Sequence, residues 1–352
     1  MERLSEIGGC PVKHTEFFAA VKSGQIAPCY LFEGEEEYIK RSALNALRKA
    51  VVAGDFAEMN DTRMVDPAPD ALIAAAETLP FLSERRLVEV VDCAMLLTGK
   101  AKEYDEDAGV RRLTEYFEDL PQTACIVFFV RGKTDARKKL TQLLKKKAVC
   151  VAFDPLDDRE LTRWIASTLQ KAGKRISAAA CQRLWFSAGR DLTMLSNELD
   201  KLTAYAGDAP EVTEKDVDAV CVKSTEYKVY DLADTLLSGQ GAKALNMLSA
   251  LLRDGGERLQ LLSLLGRQCR QLRYYRALTA AGTREGEIAR LLGVPPFAMR
   301  KLGETARAYT PEQLAQMAEM CLNTEYLVKS GQMMENGSLE NVMLRILAMR
   351  EK

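Results

Sequence analysis

Up to residue 153 the chain alternates short apolar runs with amphipathic stretches, and after Asp154-Pro155 the apolar runs stop. The runs are Tyr30–Phe32, Asn60–Val65, Arg86–Val91, Ala124–Val130 and Ala148–Phe153. They are too short for buried helices and rich in β-branched and aromatic residues, so each predicts a strand. Ala124–Val130 is apolar without interruption, as a strand covered on both faces must be. Helical patterns separate them: His14–Val21, Glu36–Val52, a stretch from the Asp66-Pro-Ala-Pro-Asp70 turn to about Leu79, Asp105–Leu120, and the basic Asp135–Lys147. Strands separated by helices predict a parallel, doubly wound α/β sheet, because a parallel pair needs a crossover long enough to hold a helix.

Beyond Pro155 only helical periodicity remains. Leu161, Ile165 and Leu169 mark one helix, Ser177 to about Phe186 a second, and Asp191–Ala206 a third with Leu192, Leu195, Leu199 and Leu202 on one face. Thr213 and Asp216 form a capping box for a fourth. From Thr225 helices are predicted over about 229–238, 241–253, 256–281, 285–292, 297–307, 311–330 and 338–350. Thr310-Pro-Glu-Gln313 is a strong start for the sixth of these, with Thr as cap and Pro at the first helical position. A chain of 352 residues suits two or three domains. The division expected is an α/β domain over residues 1–153, a small helical domain over 154–222 and an all-α domain over 223–352.

Composition removes several function classes. Nine cysteines include no C-x-x-C pair and His14 is the lone histidine, so a zinc site or a Cys-His or Ser-His catalytic unit is not expected. Several cysteines sit inside apolar runs, as small buried hydrophobes do in a reducing compartment. The formal net charge of −1 gives no global pull towards nucleic acid or anionic membrane, so any basic surface must be local. No run approaches 18 apolar residues and the N-terminus has no signal-peptide pattern, so a cytoplasmic protein without membrane contact is the expectation.

Cys29-Tyr-Leu-Phe-Glu-Gly-Glu-Glu-Glu-Tyr-Ile-Lys40 reads as strand, turn and helix, the setting in which a nucleotide-binding protein places its phosphate cradle. That cradle needs several glycines, a Lys for the phosphates and a Ser or Thr for Mg²⁺. Here Gly34 stands alone and Glu35, Glu36 and Glu37 follow it. The carboxylates suit a helix N-terminus but repel a triphosphate. An ATPase would also end a neighbouring strand in an acidic pair, and Arg86–Val91 ends in Asp92 followed by Cys93. Gly34, Glu35 and Glu36 therefore form a degenerate phosphate loop or an ordinary βα turn. Neither version takes a nucleotide, and no cofactor is expected.

The order of these features resembles the delta-subunit family of the bacterial DNA polymerase III clamp loader. The resemblance is carried by Tyr30-Leu-Phe-Glu-Gly-Glu-Glu36, Thr78-Leu-Pro-Phe-Leu82 with Arg85-Arg-Leu-Val88, Asp135-Ala-Arg-Lys-Lys-Leu140, Gly189-Arg-Asp-Leu-Thr-Met-Leu195 with Asn197-Glu-Leu-Asp-Lys-Leu202, and Lys329-Ser-Gly331. It implies an AAA+-like N-terminal α/β domain, a helical lid and a C-terminal helical collar. It further implies a subunit without catalysis of its own, classed with DNA-directed DNA polymerase only as part of the holoenzyme. Such a subunit binds and opens the sliding clamp (the beta subunit) and assembles with the gamma/tau ATPase and delta-prime subunits. The assembly then loads the clamp on primer–template DNA. Two other classes stay open from the residues: an active AAA+ ATPase with an atypical site, and a DNA-binding regulator.

Pro80 ends a helix and leaves Leu79, Phe81 and Leu82 on a connection after Thr78. From composition alone these residues belong beneath the sheet, since apolar side chains are usually inside. The resemblance implies the opposite, a segment that enters the clamp's apolar pocket with Phe81 as chief anchor. The basic run from Arg131 to Lys147 reads as a solvated helix face, and Gly132-Lys133-Thr134 lacks the upstream glycines of a phosphate loop. Arg267, Arg270, Arg273 and Arg276 spread over half a helix circumference. Residues 285–301 imitate a helix-turn-helix or form an αα-hairpin in a bundle. The family's collar implies DNA contacts at Phe297, Arg300, Lys301 and Lys329.

Overall fold

The computed structural model describes residues 11–52, 54–99, 106–294 and 296–350. Its contacts divide into two compact units, residues 1–159 and 160–352. The expected boundary after residue 222 falls inside the second.

The first unit is built on six strands: β1 (Val12–Lys13), β2 (Cys29–Glu33), β3 (Asp61–Val65), β4 (Arg86–Val91), β5 (Ala124–Phe129) and β6 (Val149–Ala152). They pair in the order β1-β6-β2-β5-β4-β3, every pair parallel. The connecting helices are α1 (His14–Lys22), α2 (Glu37–Val51), α3 (Pro69–Glu77), α4 (Glu106–Tyr116) and α5 (Lys139–Lys147). Alternation along β2 assigns the two faces. Cys29 and Leu31 join a core with Leu72, Leu113, Leu140 and Leu144 of α3, α4 and α5. Tyr30 and Phe32 turn the other way and meet Phe17 of α1 edge-on at 5.5 and 5.1 Å. Both faces are covered at β2 and β5, and that is why these two strands are apolar nearly throughout.

The sixth strand is a correction to the sequence reading. Two residues before α1, Val12 and Lys13 pair with Val151 and Ala152, too short a segment to leave a pattern. The basic helix also starts later than its charge suggests, at Lys139 rather than Asp135. The Asp135 carboxylate takes the N–H and guanidinium of Arg137 and the hydroxyl of Thr98, closing a local turn instead of a helical one. The Arg137 guanidinium holds that carboxyl well below the usual range.

In the second unit come α6 (Asp158–Lys171, beginning at the boundary), α7 (Ala178–Ala188), α8 (Leu192–Ala206) and α9 (Glu214–Val220). Asp191 caps α8, and Thr213 with Asp216 forms the expected capping box of α9. Strand signals do not cease entirely: β7 (Arg175–Ile176) and β8 (Glu211–Val212) make a two-residue parallel pair. The remaining helices are α10 (Thr225–Leu237), α11 (Gly241–Arg253), α12 (Arg258–Ala280), α13 (Glu285–Leu292), α14 (Pro296–Arg307), α15 (Pro311–Lys329) and α16 (Ser338–Arg350). The long α12 is their axis: Leu261, Leu265, Cys269 and Leu272 line a core shared with Met317 and Cys321 of α15, Leu302 of α14 and Ile346 of α16. Thr310 and Gln313 close the α15 capping box as expected.

Candidate functional site

Three places carry the sequence-predicted residues. The first is the turn between β2 and α2. Gly34 sits at φ +127°, and a Cβ there would lie 2.2 Å from the Phe153 carbonyl oxygen. Glycine is required because the turn is pressed against the end of β6. Two of its backbone donors are already spent: Gly34 N–H donates to Gly132 O at 2.7 Å and Glu36 N–H to Phe153 O at 2.8 Å. Glu36 caps α2, accepting from Tyr38 N–H, and Glu35 faces solvent.

A lysine lies six residues beyond Gly34, and it faces inward. Lys40 is fully buried on the first turn of α2. Its ammonium donates to Gly34 O at 2.7 Å, Val130 O at 2.7 Å and Glu37 Oε1 at 2.6 Å. All three acceptors belong to this unit, so the charge closes the turn upon itself. Gly132-Lys133-Thr134 is likewise engaged locally: Thr134 donates to the Glu33 carboxylate through Oγ1 at 2.5 Å and N–H at 3.2 Å. Asp92, at the end of β4, pairs with Arg131 at 3.2 Å.

The second place is the connection from α3 to β4. Leu79 is 78% exposed, Phe81 46% and Leu82 75%, so the reading that tucked them beneath the sheet is overturned. Thr78 is exposed and bonds back to Ala74 O. Such a loop would ordinarily be mobile, and here buried polar groups mount it. Asn60, 1% exposed, brackets Phe81: its Nδ2 donates to Phe81 O at 2.8 Å, and Phe81 N–H donates to its Oδ1 at 2.7 Å. Arg86, buried on β4, donates to Thr78 O at 3.0 Å and Thr62 Oγ1 at 2.8 Å. The same burial lowers its pKa. Leu82 stands at φ +48°, a conformation that costs an L-residue about 1–2 kcal/mol.

The sequence reading missed part of this surface. Phe56 meets Phe81 edge-on at 5.1 Å, and neighbouring Met59 is 59% exposed. Both lie in a short loop and 3₁₀ turn before β3, where a lone Phe and Met amid polar residues were the available signal. Arg48 of α2 fixes the same edge by bonding Asp61 at 2.6 Å and Glu89 at 2.8 Å.

The third place is in the second unit. Phe297 belongs to α14, but its side chain lies outside the described residues. Arg300 pairs with Glu304 at 3.0 Å, Lys301 with Asp234 of α10 at 2.5 Å, and Lys329 with Glu325 at 2.5 Å. Arg300 and Lys301 share α14 and Lys329 ends α15; no bond joins the three. Gly293 at φ +63° turns α13 into α14, and Ile288, Ala289, Val294 and Leu302 bury that pair in the α12 core. The two helices are thus packed into the helical bundle on their apolar sides. Among the described residues no group of three His, Cys, Asp or Glu is placed to hold a metal, and no helix is long and apolar enough to cross a membrane.

The family model for the DNA polymerase III, delta subunit matches residues 30–154, and that for the delta subunit's C-terminal domain matches residues 226–346. The chain belongs to the delta-subunit family of DNA polymerase III. It is similar to DNA polymerase III subunit delta of Bacillus subtilis, 27% identical over 340 residues covering 96% of this chain and 98% of that one. It is also similar to DNA polymerase III subunit delta of Escherichia coli, 22% identical over 68% of each chain. Among solved structures it resembles the Bacillus subtilis DNA clamp loader delta protein, with a TM-score of 0.55 and 26% identity over 95% of this chain and 99% of that chain. The parallel α/β unit followed by helices is the fold it shares with that structure.

Proposed function

We propose that this delta subunit grips the sliding clamp through Leu79, Phe81 and Leu82, with Thr78 at the rim and Phe56 and Met59 widening the contact. The observation that carries the reading is an apolar knuckle exposed to water yet held rigid by Asn60 and Arg86. A large side chain gains about 1.5–3 kcal/mol on full burial. With Leu82 75% and Phe81 46% exposed, the pair has about 2–4 kcal/mol still to gain in a partner's pocket. A rigid mount lowers the ordering cost of that gain.

Opening the ring is then a shift of population. The subunit moves the clamp towards the open form only by binding that form more tightly than the closed one. The β2–α2 turn supports a subunit that takes no nucleotide and turns over nothing itself. Two of its N–H donors and its lysine are consumed internally, and the exposed Glu35 would repel an incoming phosphate. ATP would act in gamma/tau neighbours and govern access to the knuckle. Delta-prime would complete the ring, and primer–template DNA would be met by the assembly. We read residues 154–222 as the lid, residues 223–352 as the collar that joins the subunits, and the cytoplasm as the place of work. Phe297, Arg300, Lys301 and Lys329 are the proposed DNA contacts, the last three by exchanging carboxylate partners for phosphates.

The test is binding of the purified full chain to immobilised bacterial sliding clamp without nucleotide. Saturable binding is expected, with Phe81→Ala/Leu82→Ala weaker by about 30- to 700-fold and its circular dichroism unchanged. A folded double variant that binds as well as the parent refutes the assignment. Tight binding of a fluorescent ATP analogue by the isolated chain refutes the closed turn.

A further inference from the structure

The second unit carries a groove that none of the roles above uses. It has a volume of about 650 Å³ and lies where the last turns of α12 meet the end of α14 and the start of α15. Part of its lining is apolar, formed by Ala277, Ala280, Pro311 and Ala315. Its rim is cationic: Arg273 and Arg276 from α12 and Arg307 from α14. Among the described residues Arg273 and Arg276 have no carboxylate partner, in contrast to Arg267, which pairs with Glu226 at 3.4 Å. Arg307 reaches only the Tyr275 hydroxyl, at 3.4 Å. Tyr275 is buried, and its hydroxyl fills the space that a side chain on Gly303 of α14 would need.

We infer that this groove is a docking site for an acidic, partly apolar peptide segment of a partner protein. Complementarity of charge argues for the acid: three guanidinium groups face one carboxylate, Glu312. Guanidinium groups bind carboxylates in bidentate fashion, so arginine rather than lysine suits a peptide of Glu or Asp. The apolar part of the lining argues for a segment that also carries leucine-like side chains, as grooves between helices usually receive. A nucleic-acid strand fits less well. The aromatic residue of the lining, Tyr275, is buried and offers no face for a base to stack on. The site belongs to the helical unit, and its evidence is independent of the Leu79–Leu82 knuckle.

The experiment uses the full chain and fluorescence anisotropy with three labelled probes: a short peptide of repeating Leu-Glu-Glu, the same peptide with Lys for Glu, and a thymidine oligomer of matching length. Saturable binding of the acidic peptide is expected, with neither of the other probes competing for it. Arg276→Glu should weaken it at least about tenfold, because like charge then faces the ligand. Arg273→Ala/Arg276→Ala removes side chains with no described ion pair, so it should keep the parent melting temperature and also lose binding. Phe81→Ala/Leu82→Ala should bind the peptide as the parent does, which separates this site from the clamp contact. Failure of the acidic peptide to bind, equal binding by Arg276→Glu, or preference for the thymidine oligomer overturns the inference.

Discussion

Replacing Lys40 by methionine tests whether the closed β2–α2 turn is a structural device. The substitution keeps the length and apolar stem of the side chain and deletes its three donors. It strands Gly34 O and Val130 O, each 2.7 Å from the ammonium, and Glu37 Oε1 at 2.6 Å. Glu37 is 38% exposed on its side chain and can turn to water. The two buried carbonyls have no such recourse, and each unsatisfied buried group costs about 1–3 kcal/mol. The two stranded carbonyls together make a destabilisation of about 2–6 kcal/mol the expected result. Tryptophan fluorescence is the wrong probe, because Trp164 and Trp185, the only two, both lie beyond residue 159. Amide hydrogen exchange across Cys29–Glu33 and Ala124–Phe129 reports the affected strands directly. Glu37→Gln in the Lys40→Met background separates the contributions: recovery would assign the cost to the stranded carboxylate, and no recovery to the carbonyls. Protection in Lys40→Met within about 1 kcal/mol of the parent would refute the reasoning.

Asn60→Ala should destabilise the first unit by about 1–3 kcal/mol, since Phe81 loses both backbone partners, and should weaken clamp binding although Asn60 is buried; denaturation and clamp binding measured together check this. Leu82→Gly should leave stability within about 1 kcal/mol, because relief of the φ +48° strain offsets the greater freedom of glycine in the unfolded chain, while clamp binding falls. Chemical denaturation from pH 8 to pH 11 should show stability declining above about pH 9. Burial pushes the Cys150 and Cys181 thiols up to about 11 from 9.0, so the unfolded chain loses these protons first and the native state is favoured fully only below that range. Constant stability to pH 11 would contradict the burial of these thiols.

What the sequence made legible follows from periodicity. Leu31, Val88, Ile126 and Val151 had to be strand residues because continuous apolar runs of that length have few other uses, and the parallel order followed from the helices between them. Capping at Thr213 and Thr310 was readable because the box is a local contract between residues three apart. The misses are contacts that cross the fold. Lys40 reads as an ordinary helical lysine until β5 ends beside it and offers the Val130 carbonyl, 90 residues away. Asn60 reads as the first residue of a strand, and only the return of the chain at Phe81, 21 residues on, gives it work. Exposure of Leu79 and Leu82 was not decidable from hydropathy, which favours the interior.

The contact between Asn60 and Phe81 has a location that bears on the mechanism proposed. Asn60 and Thr62, which hold the knuckle, flank Asp61, the residue that Arg48 ties to Glu89 on β4. The knuckle therefore stands on an edge strand that is clamped from α2 and from its neighbour β4, so a load on Phe81 passes into the sheet rather than bending a loop. A ligand that favours the open ring must not yield to the curvature of the closed one, because a compliant contact would fit both forms and shift neither. On this argument the polar mount matters as much as the apolar anchor: the leucines supply affinity, and Asn60, Arg86 and Arg48 supply the refusal to deform that turns affinity into opening.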